Sequence, residues 1–126
     1  MAGTCKKTIL LCVYGEDLSN LFKSELENQN YSVIVSGDGL ESVSLYKNHK
    51  PDLLLSDINL PKLNGVESMK QILEFDSSAK IILLHTDHDQ DIFDDVMECG
   101  ALKFLGAPFN IDTLWHSVHV ALSDVE

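Results

Sequence analysis

Arginine is absent from this 126-residue sequence, and its nine basic residues are all lysines. Against them stand 20 acidic residues, so the formal net charge is −11 at pH 7. Nucleic-acid binding needs a basic patch that neutralises phosphates, and binding to an anionic membrane surface needs clusters of basic residues. The composition therefore argues against both nucleic acid and membranes as partners of this chain.

Long apolar runs and paired cysteines are also missing. No stretch of 18 apolar residues occurs, so the sequence predicts no transmembrane helix. The three cysteines, Cys5, Cys12 and Cys99, are odd in number and lack the spacing of a metal site. Reduced thiols are typical of cytoplasmic proteins, so we expect a cytoplasmic location.

Five short apolar runs alternate with segments of helical spacing. The runs cover residues 8–13, 31–35, 52–55, 80–84 and 102–105. Three of them are apolar without interruption, which is typical of strands buried on both faces of a parallel sheet. After each run, apolar residues recur at intervals of three and four, which indicates a helix. The alternation predicts a doubly wound α/β fold in (βα)₅ order, and the lack of repeats and linkers predicts one domain over residues 1–126.

One carboxylate comes directly after a central, buried strand. In doubly wound folds, functional sites lie outside the carboxyl ends of the strands, and Asp57 is expected there. Such a carboxylate could act as a nucleophile or as a metal ligand. The alternative is a turn-forming aspartate that bonds its own backbone ahead of Pro61, and local sequence alone favours this simpler role.

The sequence resembles a known family at four places. Residues 50–61, 64–65, 99–101 and 108–109 are similar to the response-regulator receiver domain, the phosphoryl-accepting module of two-component signalling. The resemblance extends over nearly the whole chain. It implies a flavodoxin-like three-layer sandwich with a five-stranded parallel sheet in the order 2-1-3-4-5. It also implies that Asp57 is the phosphoacceptor.

The metal-binding part of the family's active site is largely replaced. The acidic pair that holds Mg²⁺ together with the phosphoacceptor falls at Val13 and Tyr14. Only Asp57 remains, with the backbone carbonyl of Asn59 at the third metal contact. Mg²⁺ is normally held by one or two carboxylates together with waters, so we expect no metal or other cofactor unless Asp57 is an active phosphoacceptor. Glu16 and Asp17 could rebuild the metal site only by turning back toward Asp57, and we do not expect this.

The family's switch positions are also altered. The serine or threonine that bonds the phosphoryl group falls at His85, with Thr86 one residue later, and the lysine falls at Ala107. Phe104 matches the aromatic switch position, although a strand aromatic that only covers the core is the simpler interpretation. His85 could pair with Asp57 and act as a proton sensor, but a neutral histidine satisfied by a loop carbonyl is the interpretation we favour.

The resemblance also implies a surface for protein partners, formed by the fourth helix, the fifth strand and the fifth helix. A histidine kinase, an output domain or a second copy of the chain could bind there. The residues expected on this face are Asp91, Asp94, Asp95, Glu98, Lys103, Phe104, Trp115, His116 and His119.

Three functions are therefore compared. The favoured one is a degenerate receiver domain, not an enzyme, that acts by protein–protein interaction without phosphorylation. The alternative is a working phosphoacceptor that takes a phosphoryl group on Asp57 from a histidine kinase in a phosphorelay. The third is a small transition-metal site built from ligands in a short stretch, although so short a loop rarely brings four ligands together and a polar loop is the interpretation we favour. The ligands would be His85, Asp87, His88 and Asp89.

Overall fold

The computed structural model describes residues 7–85, 93–106 and 110–123, with only the backbone described for residues 93–95. Strands and helices alternate along these residues, as the apolar pattern predicts. The strands are β1 (Thr8–Cys12), β2 (Ser32–Val35), β3 (Leu53–Asp57), β4 (Ile81–His85) and β5 (Lys103–Gly106). The helices are α1 (Glu16–Asn28), α2 (Gly39–His49), α3 (Gly65–Phe75), α4 (Phe93–Glu98) and α5 (Ile111–Leu122). None of the described helices is long and apolar enough to cross a membrane.

The five strands form one parallel sheet in the order β2-β1-β3-β4-β5. This order confirms the flavodoxin-like topology. Two strands run further than the apolar runs predict, because their last residues are polar but still paired. Asp57 lies opposite Leu84 in the register of β3 and β4, and His85 lies opposite Gly106 in that of β4 and β5. Strand pairing therefore fixes the backbone of both residues.

The core lies in two layers, one on each face of the sheet. Leu53 and Leu55 face the layer that α1 and α5 cover, while Leu54 faces the layer beneath α2, α3 and α4. All three leucines are fully buried. Because both faces of β3 are apolar, the strand needs a layer of helices on each side of the sheet. This arrangement confirms the three-layer sandwich.

Side-chain caps begin the helices that follow the strand ends. Asn64 begins α3 by accepting a hydrogen bond from the backbone N–H of Glu67 at 2.9 Å. Asn110 begins α5 in the same way, by accepting a hydrogen bond from the N–H of Asp112 at 2.7 Å. A side chain at Gly65 would collide with the backbone carbonyl of Asp57. The Asn-Gly pair therefore lets α3 begin directly beside the end of β3.

Candidate functional site

Asp57 ends the central strand β3 and is almost completely buried, with 4% of its surface exposed. Burial raises the pKa of its carboxyl group above the ordinary value. The backbone N–H groups of Asn59, Tyr14 and Ile58 oppose this shift, as does the charge of His85, but they do not cancel it. Among the described residues, the Oδ1 atom has no hydrogen-bond partner. The carboxyl group thus lies where its charged form is disfavoured.

His85 ends the neighbouring strand β4 and is buried to a similar degree, with 5% of its surface exposed. Neither ring nitrogen has a hydrogen-bond partner within the part of the chain that the structure describes. Its ring stacks on that of Phe104 in β5, with 6.1 Å between the centroids and an angle of 30° between the planes. The two switch positions inferred from the family are thus in contact. Thr86 and Ala107 lie outside the described residues.

The two residues directly after β1, Val13 and Tyr14, carry no carboxylate. Val13 is buried in the core layer beneath α1 and α5, whereas 64% of the Tyr14 surface is exposed. Glu16 and Asp17 are exposed in the first turn of α1. Across the described ranges, no three histidine, cysteine, aspartate or glutamate side chains are placed to hold a metal ion.

The donor set does not fit the magnesium site that the family implies. Mg²⁺ takes an octahedral shell of oxygen ligands and rarely binds without carboxylates and substrate oxygens. The residues in the family's metal positions are Asp57, the carbonyl of Asn59, the apolar Val13 and the solvent-facing Tyr14. Asp87, His88 and Asp89 of the suggested transition-metal site lie outside the described residues, so that hypothesis stays a prediction.

The proposed partner face is only partly a surface. Lys103, His116 and His119 are exposed, as is Glu98 at the end of α4. Phe104 is instead buried, with 8% of its surface exposed. Of the remaining residues on this face, Asp91 lies outside the described residues, and only the backbone is described for Asp94 and Asp95.

Trp115 packs partly against the core. Its ring meets the ring of Phe22 edge to face, with 5.3 Å between the centroids. Trp115 is half-buried against the core layer beneath α1 and α5, so it fastens these two helices together.

Two grooves on the surface were not predicted from the sequence. A groove of about 530 Å³ opens at the carboxyl ends of β1 and β2, where Gly15 turns the chain with φ of 105°. A second groove, of about 490 Å³, lies between β5 and α5 and includes the exposed side chains of Leu102 and Val120. Leu102 begins an apolar run, so the pattern alone does not separate it from the buried positions that follow it.

Comparisons with known proteins agree with this geometry. The family model of the response regulator receiver domain matches residues 15–119. The chemotaxis protein CheY of Halobacterium salinarum is 32% identical over 119 residues, which cover 94% of this chain and 96% of that protein. The non-phosphorylated receiver domain of HemR from Leptospira biflexa shares the fold with a TM-score of 0.87 at 25% identity, covering 96% of this chain and 98% of that one.

A further solved structure shares the fold at lower sequence identity. A chain of the CheX–CheY–BeF₃–Mg²⁺ complex of Borrelia burgdorferi has a TM-score of 0.85 at 23% identity, covering 94% of this chain and 91% of that one. Together the comparisons confirm the resemblance drawn from the sequence.

Proposed function

Because this chain belongs to the response regulator receiver domain family, we propose that it is a signalling module that acts by protein–protein recognition, without phosphoryl transfer to Asp57. Receiver domains are signalling modules rather than classical enzymes, and we extend this non-enzymatic role to the present chain. Its partners would be proteins such as a histidine kinase or an output domain, and a second copy is a further candidate. The free thiols of Cys12 and Cys99 fit a cytoplasmic location.

The observation that carries this proposal is the set of side chains around Asp57. Phosphoryl transfer to a carboxylate brings two anions together, so it depends on positioned positive charge. Val13, directly after β1, is buried and apolar, and Tyr14 extends into solvent. The loss of one positioned electrostatic donor costs about a hundred- to a thousandfold in rate, and here several donor positions are replaced at once.

Burial of Asp57 also disfavours its phosphorylation. The pKa of Asp57 is raised because its carboxylate is buried away from water. The hydrogen bonds and the charge around it stabilise its negative charge only in part. A phosphoryl group would add negative charge at this same point. Without a cation to neutralise it, the acyl phosphate would be disfavoured relative to the free acid.

Intact-mass spectrometry after incubation with Mg²⁺ and acetyl phosphate tests the proposal. We expect no added phosphoryl group on the wild-type chain or on the Asp57→Asn variant. A triple variant, Val13→Asp with Tyr14→Asp and Ala107→Lys, restores the family's charges and serves as the positive control. One phosphoryl group on the wild type that is absent from Asp57→Asn would overturn the proposal.

The second candidate function is a phosphoacceptor that depends on its kinase. It is favoured by one observation, which is that Oδ1 of Asp57 has no hydrogen-bond partner among the described residues and so retains free lone pairs. A histidine kinase could supply groups that a small phosphodonor lacks. A histidine kinase or phosphotransfer domain that carries phosphohistidine should then phosphorylate the wild type although acetyl phosphate does not. The proposed function predicts that neither donor reacts.

A further inference from the structure

The groove at the carboxyl ends of β1 and β2 lies on the side of β1 away from Asp57. In the sheet, β1 has β2 on one side and β3, which ends at Asp57, on the other. The described lining of the groove consists of residues 13–16, 19–20 and 35–37, so Asp57 is not part of it. The volume of about 530 Å³ is within the range of small-molecule sites. The groove is therefore a cleft of its own beside the strand end that carries Asp57.

Ser19 places a hydroxyl group on the buried face of α1. It shares this face with Phe22 and Leu26 at spacings of three and four residues, and only 7% of its surface is exposed. Ser68 in α3 and Ser117 in α5 each donate a hydrogen bond to the carbonyl four residues earlier. The hydroxyl of Ser19 makes no hydrogen bond with another described residue. Because buried hydroxyl groups normally have a partner, and Ser19 lines the groove, a ligand in the groove can supply one.

The start of α1 offers further donors at the same groove. Its N-cap residue is Gly15, with φ of 105° and no side-chain cap, whereas side chains cap α2, α3 and α5. The first N–H groups of a helix have no partner within the helix. Gly15 and Glu16 both line the groove, so the uncapped start of α1 and the hydroxyl of Ser19 meet in one cleft.

The charge around the groove disfavours an anionic ligand. Glu16 lines the groove and Asp17 follows it in the first turn of α1, while the described lining contains no lysine. These carboxylates repel a phosphate or a carboxylate, but they accept hydrogen bonds from a neutral ligand. A matching ligand is therefore uncharged, with an acceptor for Ser19 and α1 and a donor for Glu16.

Two exposed side chains give the groove apolar walls. Tyr14 has 64% of its surface exposed, and Val35 at the end of β2 has 42%. An aromatic ring can pack against a tyrosine ring by stacking or by an edge-to-face contact, and it also covers aliphatic surface. A flat aromatic body therefore complements this part of the groove.

We propose that this groove binds an uncharged aromatic carboxamide. The carbonyl oxygen of the ligand accepts hydrogen bonds from the hydroxyl of Ser19 and from the first N–H groups of α1. Its amide NH₂ group donates to the carboxylate of Glu16, and its ring packs against Tyr14 and Val35. This binding function goes beyond the proposed protein–protein recognition and does not depend on phosphorylation of Asp57.

Titration of the full chain with benzamide, followed by ¹H–¹⁵N NMR, tests the proposal. We expect the largest shifts at residues 13–20 and 35–37, with a dissociation constant on the order of 1 mM for so small a ligand. Benzoate keeps the shape of benzamide but carries a negative charge, and acetamide lacks the ring. Each should bind at least about tenfold more weakly than benzamide.

Matched variants identify the contacts. Ser19→Ala and Tyr14→Ala should each weaken the binding of benzamide about threefold or more, because each removes one contact with the ligand. Ser24→Ala and Leu21→Ala shorten exposed side chains of α1 outside the groove, and they should bind benzamide as the wild type does. Thermal unfolding of all four variants checks that they are folded.

Several results would overturn the proposal. Equal binding of benzoate, or shifts spread over the whole surface, would mean that the cleft does not select an uncharged amide. Wild-type affinity in Ser19→Ala would remove the hydroxyl from the contacts. Asp57→Asn should bind benzamide as the wild type does, since Asp57 does not line the groove. Loss of binding in that variant would place the ligand at the end of β3 instead.

Discussion

The ring of His85 at the end of β4 lies stacked on the ring of Phe104 in β5, at 6.1 Å between centroids. In the sheet, Phe104 pairs with Leu83, two residues before His85, so both rings project from the same face. Each residue is buried. The contact therefore links the end of β4, beside Asp57 in the sheet, to the edge strand β5.

Replacement of His85 by leucine should stabilise the chain. Both ring nitrogens are buried without a hydrogen-bond partner among the described residues, and such a group costs about 1–3 kcal/mol. Leucine keeps most of the volume against Phe104 without this cost. We expect the free energy of unfolding to rise by about 1 kcal/mol in urea titrations. His85→Ala, the control that leaves a cavity, should lower it, and a loss in both variants would mean that the imidazole has a partner.

The buried carboxyl of Asp57 makes stability depend on pH. Its pKa in the folded chain is raised, mainly by burial, above the ordinary value of 3.8. The folded state therefore holds the proton more tightly than the unfolded state, and stability falls as pH rises from the ordinary value through the raised one. Asp57→Asn cannot ionise there. Relative to the wild type, its free energy of unfolding should increase as pH rises above 3.8.

Urea unfolding of both proteins between acid and neutral pH measures this difference. The matched control is Asp52→Asn, a change of the same kind at an exposed carboxylate. A difference between wild type and Asp57→Asn that stays constant across this range would contradict the raised pKa.

The fold was predictable from the sequence because each strand is a short apolar run and each helix follows at a spacing of three and four. The ends of β3 and β4 were harder to predict, because Asp57 and His85 are polar. Only their pairing with Leu84 and Gly106 places them in the sheet. Periodicity detects apolar positions, whereas backbone pairing continues irrespective of the side chain.

The site was predictable in position but not in its contacts. Topology places Asp57 at the carboxyl end of a central strand, and the family resemblance identifies the altered positions around it. The stacking of His85 on Phe104 depends on the register between β4 and β5, which no local pattern records. The groove on β5 and α5 depends likewise on tertiary packing, which brings Leu102 near Val120.

Gly65 should be essential to the loop that follows Asp57. A Cβ atom there would lie 2.9 Å from the Cα of Ile58 and would also overlap the carbonyl of Asp57. Because both neighbours are backbone, neither can move cheaply, and Gly65→Ala should destabilise the chain by about 1–3 kcal/mol. At Gly106 a Cβ atom would meet no described residue within 4 Å, so Gly106→Ala is the matched control. Urea titrations that showed equal stability for both variants would contradict the close approach.

Cys12 should resist thiol reagents while the chain is folded. Burial raises the pKa of its thiol to about 11, and the negative charges of Asp38 and Asp57 act in the same direction, whereas the hydrogen bond with Ser36 acts against it. Because the thiolate is the reactive form, alkylation by iodoacetamide near pH 8 should be slow at Cys12. Cys99 is only half-buried and provides the internal comparison. Peptide mapping by mass spectrometry should find Cys99 labelled before Cys12, and Cys12 labelled only after denaturation, whereas early labelling of Cys12 would place its thiol in contact with solvent.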